Sequence, residues 1–216
     1  MYIPSAFRVD DPARLAEFIQ CHGFATLITF DAGAPFASHL PMLFRPEAGP
    51  HGTLVSHMAR ANPHWEHFAS GGEALAIFHG PHSYISPSWY STGPAVPTWN
   101  YATVHAYGLP AIFTGHDRVV ALLRDTVATY ENSFERPWPA EGDLPDEYRD
   151  KLIHAIVAFE IPVTRIEGKF KLSQNRPQAD VQGVIDGLSR GDDAESRAVA
   201  RMMLAEAAAQ RRESST

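Results

Sequence analysis

From Trp99 to Tyr107 bulky and small side chains alternate at period two. A strand with this pattern carries Trp99, Tyr101, Thr103, His105 and Tyr107 on one face and Asn100, Ala102, Val104 and Ala106 on the other. The bulky face is expected to cover a core, and the small face to let a helix, a second subunit or a flat ligand come close to the backbone. Just upstream, Pro81, Pro87, Pro94 and Pro97 exclude helix and predict a long, ordered, aromatic-lined loop. Loops of that length and order are where function concentrates.

The rest of the pattern places further elements around this strand. Asp11-Pro12 opens an amphipathic helix that ends at Gly23. Three strand-like segments of a meander follow, Gly23 to Phe30, Ala37 to Phe44 and Thr53 to Met58. Asn62-Pro63 starts a short helix to about Ala69, broken by Gly71-Gly72, and Ala74 to His79 gives a fourth strand. Beyond the central strand, Leu109 to Thr114 continues or re-pairs it. Asp117 is expected to cap a longer helix with Val119, Leu123, Val127, Tyr130 and Phe134 on its apolar face. After a loop from Pro137 to Pro145, Asp146 to His154 predicts another helix and Ile156 to Phe170 a last strand pair. Two tail helices, Pro177 to Leu188 and Asp193 to Arg212, follow, the first with an apolar stripe of Val181, Val184, Ile185 and Leu188 and the end near Glu213 to Thr216 expected to fray. The reading is α+β, mainly β with helices, forming a barrel. Residues 1–176 are expected to make one domain with inserted helices, and 177–216 a helical extension packed on it.

Composition narrows the function classes. With 216 residues, 44% hydrophobic and 20% charged, the chain has enough apolar material for a full core. Its 18 Lys and Arg against 25 Asp and Glu give a net charge of -7, a field that repels nucleic acid and makes direct DNA binding doubtful. Cys21 stands alone, so neither an internal disulfide nor a thiolate metal cluster is available. No apolar run approaches the roughly 20 residues of a membrane span, and the opening Met1-Tyr-Ile-Pro4 has no signal-peptide character, so a cytoplasmic protein is expected. The phosphate-binding glycine loops of nucleotide enzymes and the Gly-x-Ser-x-Gly elbow are both missing from the sequence.

Three constellations carry candidate chemistry. The run Ser56 to Trp65 passes from a strand end through Arg60 into a helix start at Asn62-Pro63, an outline of an anion site in which Arg60 supplies a bidentate fork. The alternative is a solvated or acid-paired arginine. In Glu167 to Arg176, Lys169 and Lys171 share a strand face, and Ser173, Gln174 and Asn175 offer polar groups at its end, suited to a phosphate or a propionate. An exposed basic strand edge is the competing reading. Among 11 histidines, His64 and His67 lie one helical turn apart and His79 lies near His82, but no third ligand completes a protein-only metal site. His57 differs, because a single imidazole suffices as the axial ligand where haem supplies four nitrogens; a hydrogen-bonded role is the alternative.

Taken together, Met1-Tyr-Ile-Pro4, His57-Met-Ala-Arg-Ala-Asn-Pro-His-Trp65, Gly80-Pro-His-Ser-Tyr-Ile-Ser-Pro-Ser-Trp-Tyr90, Pro97-Thr-Trp-Asn-Tyr101 and Glu167-Gly-Lys-Phe-Lys-Leu-Ser-Gln-Asn-Arg176 resemble the PaiB family over nearly the whole chain. The resemblance implies an FMN-binding split β-barrel with C-terminal helices, a homodimer with ligand sites between subunits, and a role as transcriptional regulator or flavin-dependent redox protein. With the residue reading, it points to cofactor binding by Ser56, His57, Arg60, Asn62, Trp99, Asn100, Lys169, Lys171 and Gln174, with no catalytic residue assigned. One branch of the family, the piperazate synthases, uses haem b to join nitrogen to nitrogen in N-hydroxyornithine, and its axial histidine matches His57. The ending Ser173-Gln-Asn-Arg176 resembles the general PaiB pattern.

Overall fold

The computed structural model describes residues 1–31, 33–138 and 145–213. Ala32 between the first two predicted strand segments, 139–144 in the loop before Pro145, and 214–216 at the predicted frayed end lie outside the described residues. In chain order the elements are β1 (Arg8–Val9), α1 (Pro12–Cys21), β2 (Phe24–Asp31), β3 (Ala34–Pro41), β4 (Leu43–Arg45), β5 (Thr53–Ala59), β6 (Ala74–Ile85), β7 (Thr98–Gly108), β8 (Ala111–Ile112), α2 (His116–Glu131), α3 (Asp146–His154), β9 (Ile156–Lys171), α4 (Gln178–Ser189) and α5 (Ala194–Glu213). Short 3-10 helices occupy Ser5–Phe7, Pro63–Ser70 and Pro87–Trp89. Hydrogen-bonded strand neighbours follow the order β3-β2-β6-β7-β9-β5-β4, with β1 and β8 both on β9.

This order replaces the expected meander. β2 and β3 form a hairpin from Phe24↔Pro41 to Asp31↔Ala34, but Pro41 has no N–H to extend the ladder and the strand breaks at Met42. β4 pairs instead with β5, whose other edge runs along β9 from Thr53↔Pro162 to Ala59↔Ile156. The segment after Asn62 is 3-10 rather than α, with Asn62 accepting from the His64 amide and Gly71 ending it at φ 70°. β6 continues through Pro81 to Ile85, since proline's φ suits an extended chain, so the proline-rich loop is shorter than expected. Ile156–Lys171 is one long strand rather than a pair. α2 starts two residues earlier than expected, with Gly115 rather than Asp117 at its N-cap.

Close packing groups the described residues into two compact units. The first comprises Met1–Phe18, His79–Val104 and the described part of Glu167–Thr216. In it, Val184, Ile185 and Leu188 of α4 and Val199, Ala200 and Met203 of α5 are buried as the two helices pack together. The ring of Phe18 from α1 lies 4.9 Å from that of Phe170. The second unit holds the described residues of Ile19–Phe78 and His105–Ile166. Its core gathers Val55, Phe113, Val119, Leu122, Ile153 and Ala158, of which Leu122 was not marked by the helical pattern. Burying each large side chain of this set contributes about 1.5–3 kcal/mol.

The period-two pattern of β7 is present, but its sense is the reverse of the expected one. Ala102, Val104 and Ala106 are buried, whereas Trp99 is 52% exposed and Tyr101, His105 and Tyr107 are half-buried. At Gly80 of β6 a Cβ would come within 2.5 Å of the Phe18 ring and 3.3 Å of the Ala102 carbonyl.

A polar network sits within the second unit. His64 is fully buried, its Nε2 2.9 Å from Thr29 Oγ1 and its Nδ1 2.8 Å from Ser38 Oγ. Thr29 Oγ1 also lies 3.0 Å from His67 Nδ1, and Asn62 Nδ2 donates to Ser38 Oγ at 2.9 Å. Burial, and then the nearby His67, pull the His64 pKa down to about 4. Unfolded, the same imidazole takes a proton near 6.5. Its contribution to stability is therefore complete above pH about 6.5 and is lost as pH falls through about 4. The melting temperature of the wild type should fall relative to His64→Gln between pH 7 and pH 4; parallel curves would show that His64 is not the linked group.

Candidate functional site

In the first unit the chain turns sharply where β9 ends. Ser173 adopts φ 67°, in the left-handed region that non-glycine residues seldom enter, and Arg176 N closes the turn on Ser173 O at 3.0 Å. Asn100 from β7, itself buried, holds this serine, with Nδ2 donating to Ser173 Oγ at 2.9 Å. Gln174 folds back on the strand end, accepting from Leu172 N at 2.7 Å and donating to Phe170 O at 2.6 Å. Both Asn100 and Gln174 thus shape the turn.

The turn sets three side chains around a cavity of about 140 Å³. Lys171, Arg176 and Tyr90 line it, with Thr98 and Asn175. Lys171 Nζ donates to Thr98 Oγ1 at 2.6 Å and to the Trp99 carbonyl. The guanidinium of Arg176 lies over the Tyr90 ring, 4.7 Å from its centroid. Burial, followed by the positive charges of Lys169 and Arg176, lowers the pKa of Lys171. Among the described residues no carboxylate pairs with Lys171 or Arg176. The Tyr90 hydroxyl is buried and, among the described residues, has no hydrogen-bond partner. A buried donor without an acceptor costs about 1–3 kcal/mol, so this hydroxyl is a donor suited to an acceptor oxygen of a ligand.

The other first-unit candidates have different surroundings. Lys169 is 7% exposed, donates to the Tyr2 carbonyl at 3.1 Å and lies over the rings of Tyr2 and Tyr101. Trp99 stands at the surface with the rings of His82 and Tyr84 at 5.9 and 6.2 Å.

Ser56, His57, Arg60 and Asn62 belong to the second unit. Ser56 is buried and donates to the Pro41 carbonyl at 2.6 Å. Arg60 Nε and Nη2 donate to the carbonyls of His154 and Ile156 at 2.8 and 2.7 Å. Its fork therefore ties the end of α3 to the start of β9. Asn62 is spent on the His64 amide and Ser38. His57 is half-buried, burial lowers its pKa, and among the described residues no hydrogen bond engages its imidazole. A cavity of about 300 Å³ lies beside Arg60, walled mainly by Trp65, Phe113, Val119 and Ile153.

Sequence reasoning named Lys171, but not Tyr90, Thr98 and Arg176, as binding residues. Tyr90 and Arg176 stand inside the quoted motifs, but nothing in the sequence marks that the Tyr90 hydroxyl lacks a partner.

A family model described as "Putative FMN-binding domain" matches residues 1–165. The chain belongs to this family. It is 36% identical over 205 residues to "Protease synthase and sporulation protein PAI 2" of Bacillus subtilis, covering 94% of this chain and 96% of that protein. It is 32% identical over 194 residues to "Uncharacterized protein AN0679" of Emericella nidulans, covering 73% and 77%. Among solved structures, the flavocytochrome Anf3 of Azotobacter vinelandii superposes with a TM-score of 0.59 at 12% identity, over 76% of this chain and 69% of that one. The FAD and haem binding protein of Mycobacterium smegmatis gives 0.58 at 15% identity, over 76% and 73%. The resemblance to the PaiB family holds, the fold is the α+β split β-barrel of flavin-binding proteins, and FMN is the cofactor of the family. No helix among the described residues is long and apolar enough to cross a membrane.

The carbonyl contacts of Arg60 generate a prediction. Arg60→Ala should destabilise the fold by about 1–3 kcal/mol in denaturant titration, through loss of two charge-assisted bonds, and leave FMN affinity unchanged. A weakened FMN complex with an unaltered denaturation midpoint would instead make Arg60 a ligand.

Proposed function

We propose that this protein is a flavin-dependent redox protein that anchors the phosphate of FMN in the Lys171–Arg176–Tyr90 cavity. The buried Tyr90 hydroxyl, unpartnered among the described residues, belongs to a side chain that lines the cavity together with two cations that no described carboxylate pairs, and this carries the reading. A phosphate monoester is dianionic near neutral pH and has several acceptor oxygens, which matches a donor set of ammonium, guanidinium, phenol, Thr98 hydroxyl and Asn175 amide. When bound, FMN supplies one- and two-electron transfer. The chain's own part is to bind and orient: Lys171 is fixed by Thr98 and the Trp99 carbonyl, and Arg176 by the Tyr90 ring. A net charge of -7 opposes contact with duplex DNA, so any part in transcription runs through the cofactor or a protein partner.

The expected test compares FMN with riboflavin, which lacks the phosphate. Arg176→Gln should weaken FMN by about 1.5–3 kcal/mol and leave riboflavin unaffected. Equal losses for the two flavins would sink the phosphate assignment.

We infer a homodimer from a different surface than the one expected. The small face of β7 is filled from within, but in the second unit the outer face of β2, β3 and β6 is apolar and open. Phe24 and Phe30 are 67% and 65% exposed, and Ile28 sits between Ala37 and Leu75 in the ladder. A patch of this kind on one sheet face suits a second copy of itself. Light scattering should give twice the 23.8 kDa chain mass, and Phe24→Lys should shift it toward one. A wild-type monomer at micromolar concentration removes the inference.

A second reading, a haem b protein of the piperazate-synthase type, is favoured by the uncommitted His57 imidazole, which burial keeps neutral and available to iron. Wild type that takes up haem and loses its Soret band on His57→Ala would support it. Retention of FMN by that variant, with at most about 1 kcal/mol lost, agrees with the first reading.

A further inference from the structure

The residues on either side of Tyr90 are fastened to one helix. Asp180, in the first turn of α4, is fully buried. One of its carboxylate oxygens accepts from Ser91 N at 2.8 Å, Ser91 Oγ at 3.1 Å and Thr92 N at 3.1 Å, and the other accepts from the Thr92 hydroxyl. One and two turns along α4, Gly183 and Gly187 take in Trp89. A Cβ at Gly183 would lie 2.1 Å from the Trp89 carbonyl, and one at Gly187 would lie 2.5 Å from its indole. Tyr90 N itself closes the 3-10 turn on Pro87 O at 3.2 Å.

We propose that Asp180, with Gly183 and Gly187, is the positioning group that sets the Tyr90 hydroxyl in the anion cavity. The proposal rests on the phosphate reading above. Four donors converging on a buried carboxylate repay its desolvation and leave it no proton to share, so it acts on the loop and touches no ligand. The Thr92 hydroxyl leads the contacts that hold its pKa below the usual carboxylate range. Trp89 on one side and Ser91-Thr92 on the other leave the intervening tyrosine little freedom. Its hydroxyl is consequently held unpartnered where a freer side chain would swing out to water. A hydroxyl fixed in place before binding gives up little entropy to its ligand.

The experiment titrates purified full-length protein with FMN and with riboflavin, following flavin fluorescence, for wild type, Tyr90→Phe, Asp180→Asn and the double variant. Tyr90→Phe should weaken FMN about tenfold, the loss of one hydrogen bond to a charged group, with riboflavin unchanged. Asp180→Asn should produce a loss of the same order confined to FMN. The double variant should lose no more than Tyr90→Phe alone, because Asp180 acts through that hydroxyl. Losses that multiply in the double variant, or that fall equally on riboflavin, overturn the positioning role. If Tyr90→Phe and Arg176→Gln leave the FMN-to-riboflavin ratio untouched, the phosphate reading falls, and the positioning role with it. Should Asp180→Asn fail to fold, Thr92→Val removes one of the four donors and should give a smaller loss in the same direction; an unchanged ratio there counts against the proposal.

Discussion

The hydrogen bond between Asn100 and Ser173 is the constraint on which the first unit's chemistry depends. A serine in the left-handed region is held at a cost of order 1–3 kcal/mol and persists only when its neighbours over-determine it. Here a fully buried amide supplies that hold. Gln174 ties Leu172 and Phe170 from the other direction. Because the chain reverses there, Arg176 comes back over Tyr90 while Lys171 remains on the strand. Without the reversal the two cations would continue along an extended chain and diverge.

Assembling cations in this way works against folding. Lys171 is desolvated and sits near two like charges, and its lowered pKa measures that conflict. The fold tolerates it because Thr98 and the Trp99 carbonyl absorb part of the ammonium's hydrogen-bonding capacity. An anion in the cavity would relieve both the repulsion and the orphaned phenol, so ligand binding and stability are linked in the same three side chains.

The sequence displayed elements better than it displayed directions. The alternation along β7 was legible, but whether its small or bulky side faced inward was not, since that depends on which distant elements, Phe18 of α1 among them, pack beside the neighbouring strand. Arg60 before Asn62-Pro63 has the outline of an anion site. Its partners, the carbonyls of His154 and Ile156, lie more than 90 residues away and leave no trace near it in sequence. Lys171 could be named from its motif. Tyr90 could not, because its significance is the absence of a partner, and that follows from how Asp180 and two glycines of α4 hold the adjoining loop.

One amide fixes the positions of protons four groups away. Asn62 accepts the His64 N–H through Oδ1, so its NH2 must be the group that faces Ser38. Ser38 then accepts from Asn62 and gives its own proton to His64 Nδ1. That places the His64 proton on Nε2, aimed at Thr29, whose hydroxyl in turn points to His67 Nδ1. Every proton in the series has an acceptor only when all bonds run in this one sense. The His64 imidazole is thereby the Nε2–H tautomer, and replacing Asn62 by aspartate would take away the donor at the head of the chain and leave the sense of every later bond unspecified.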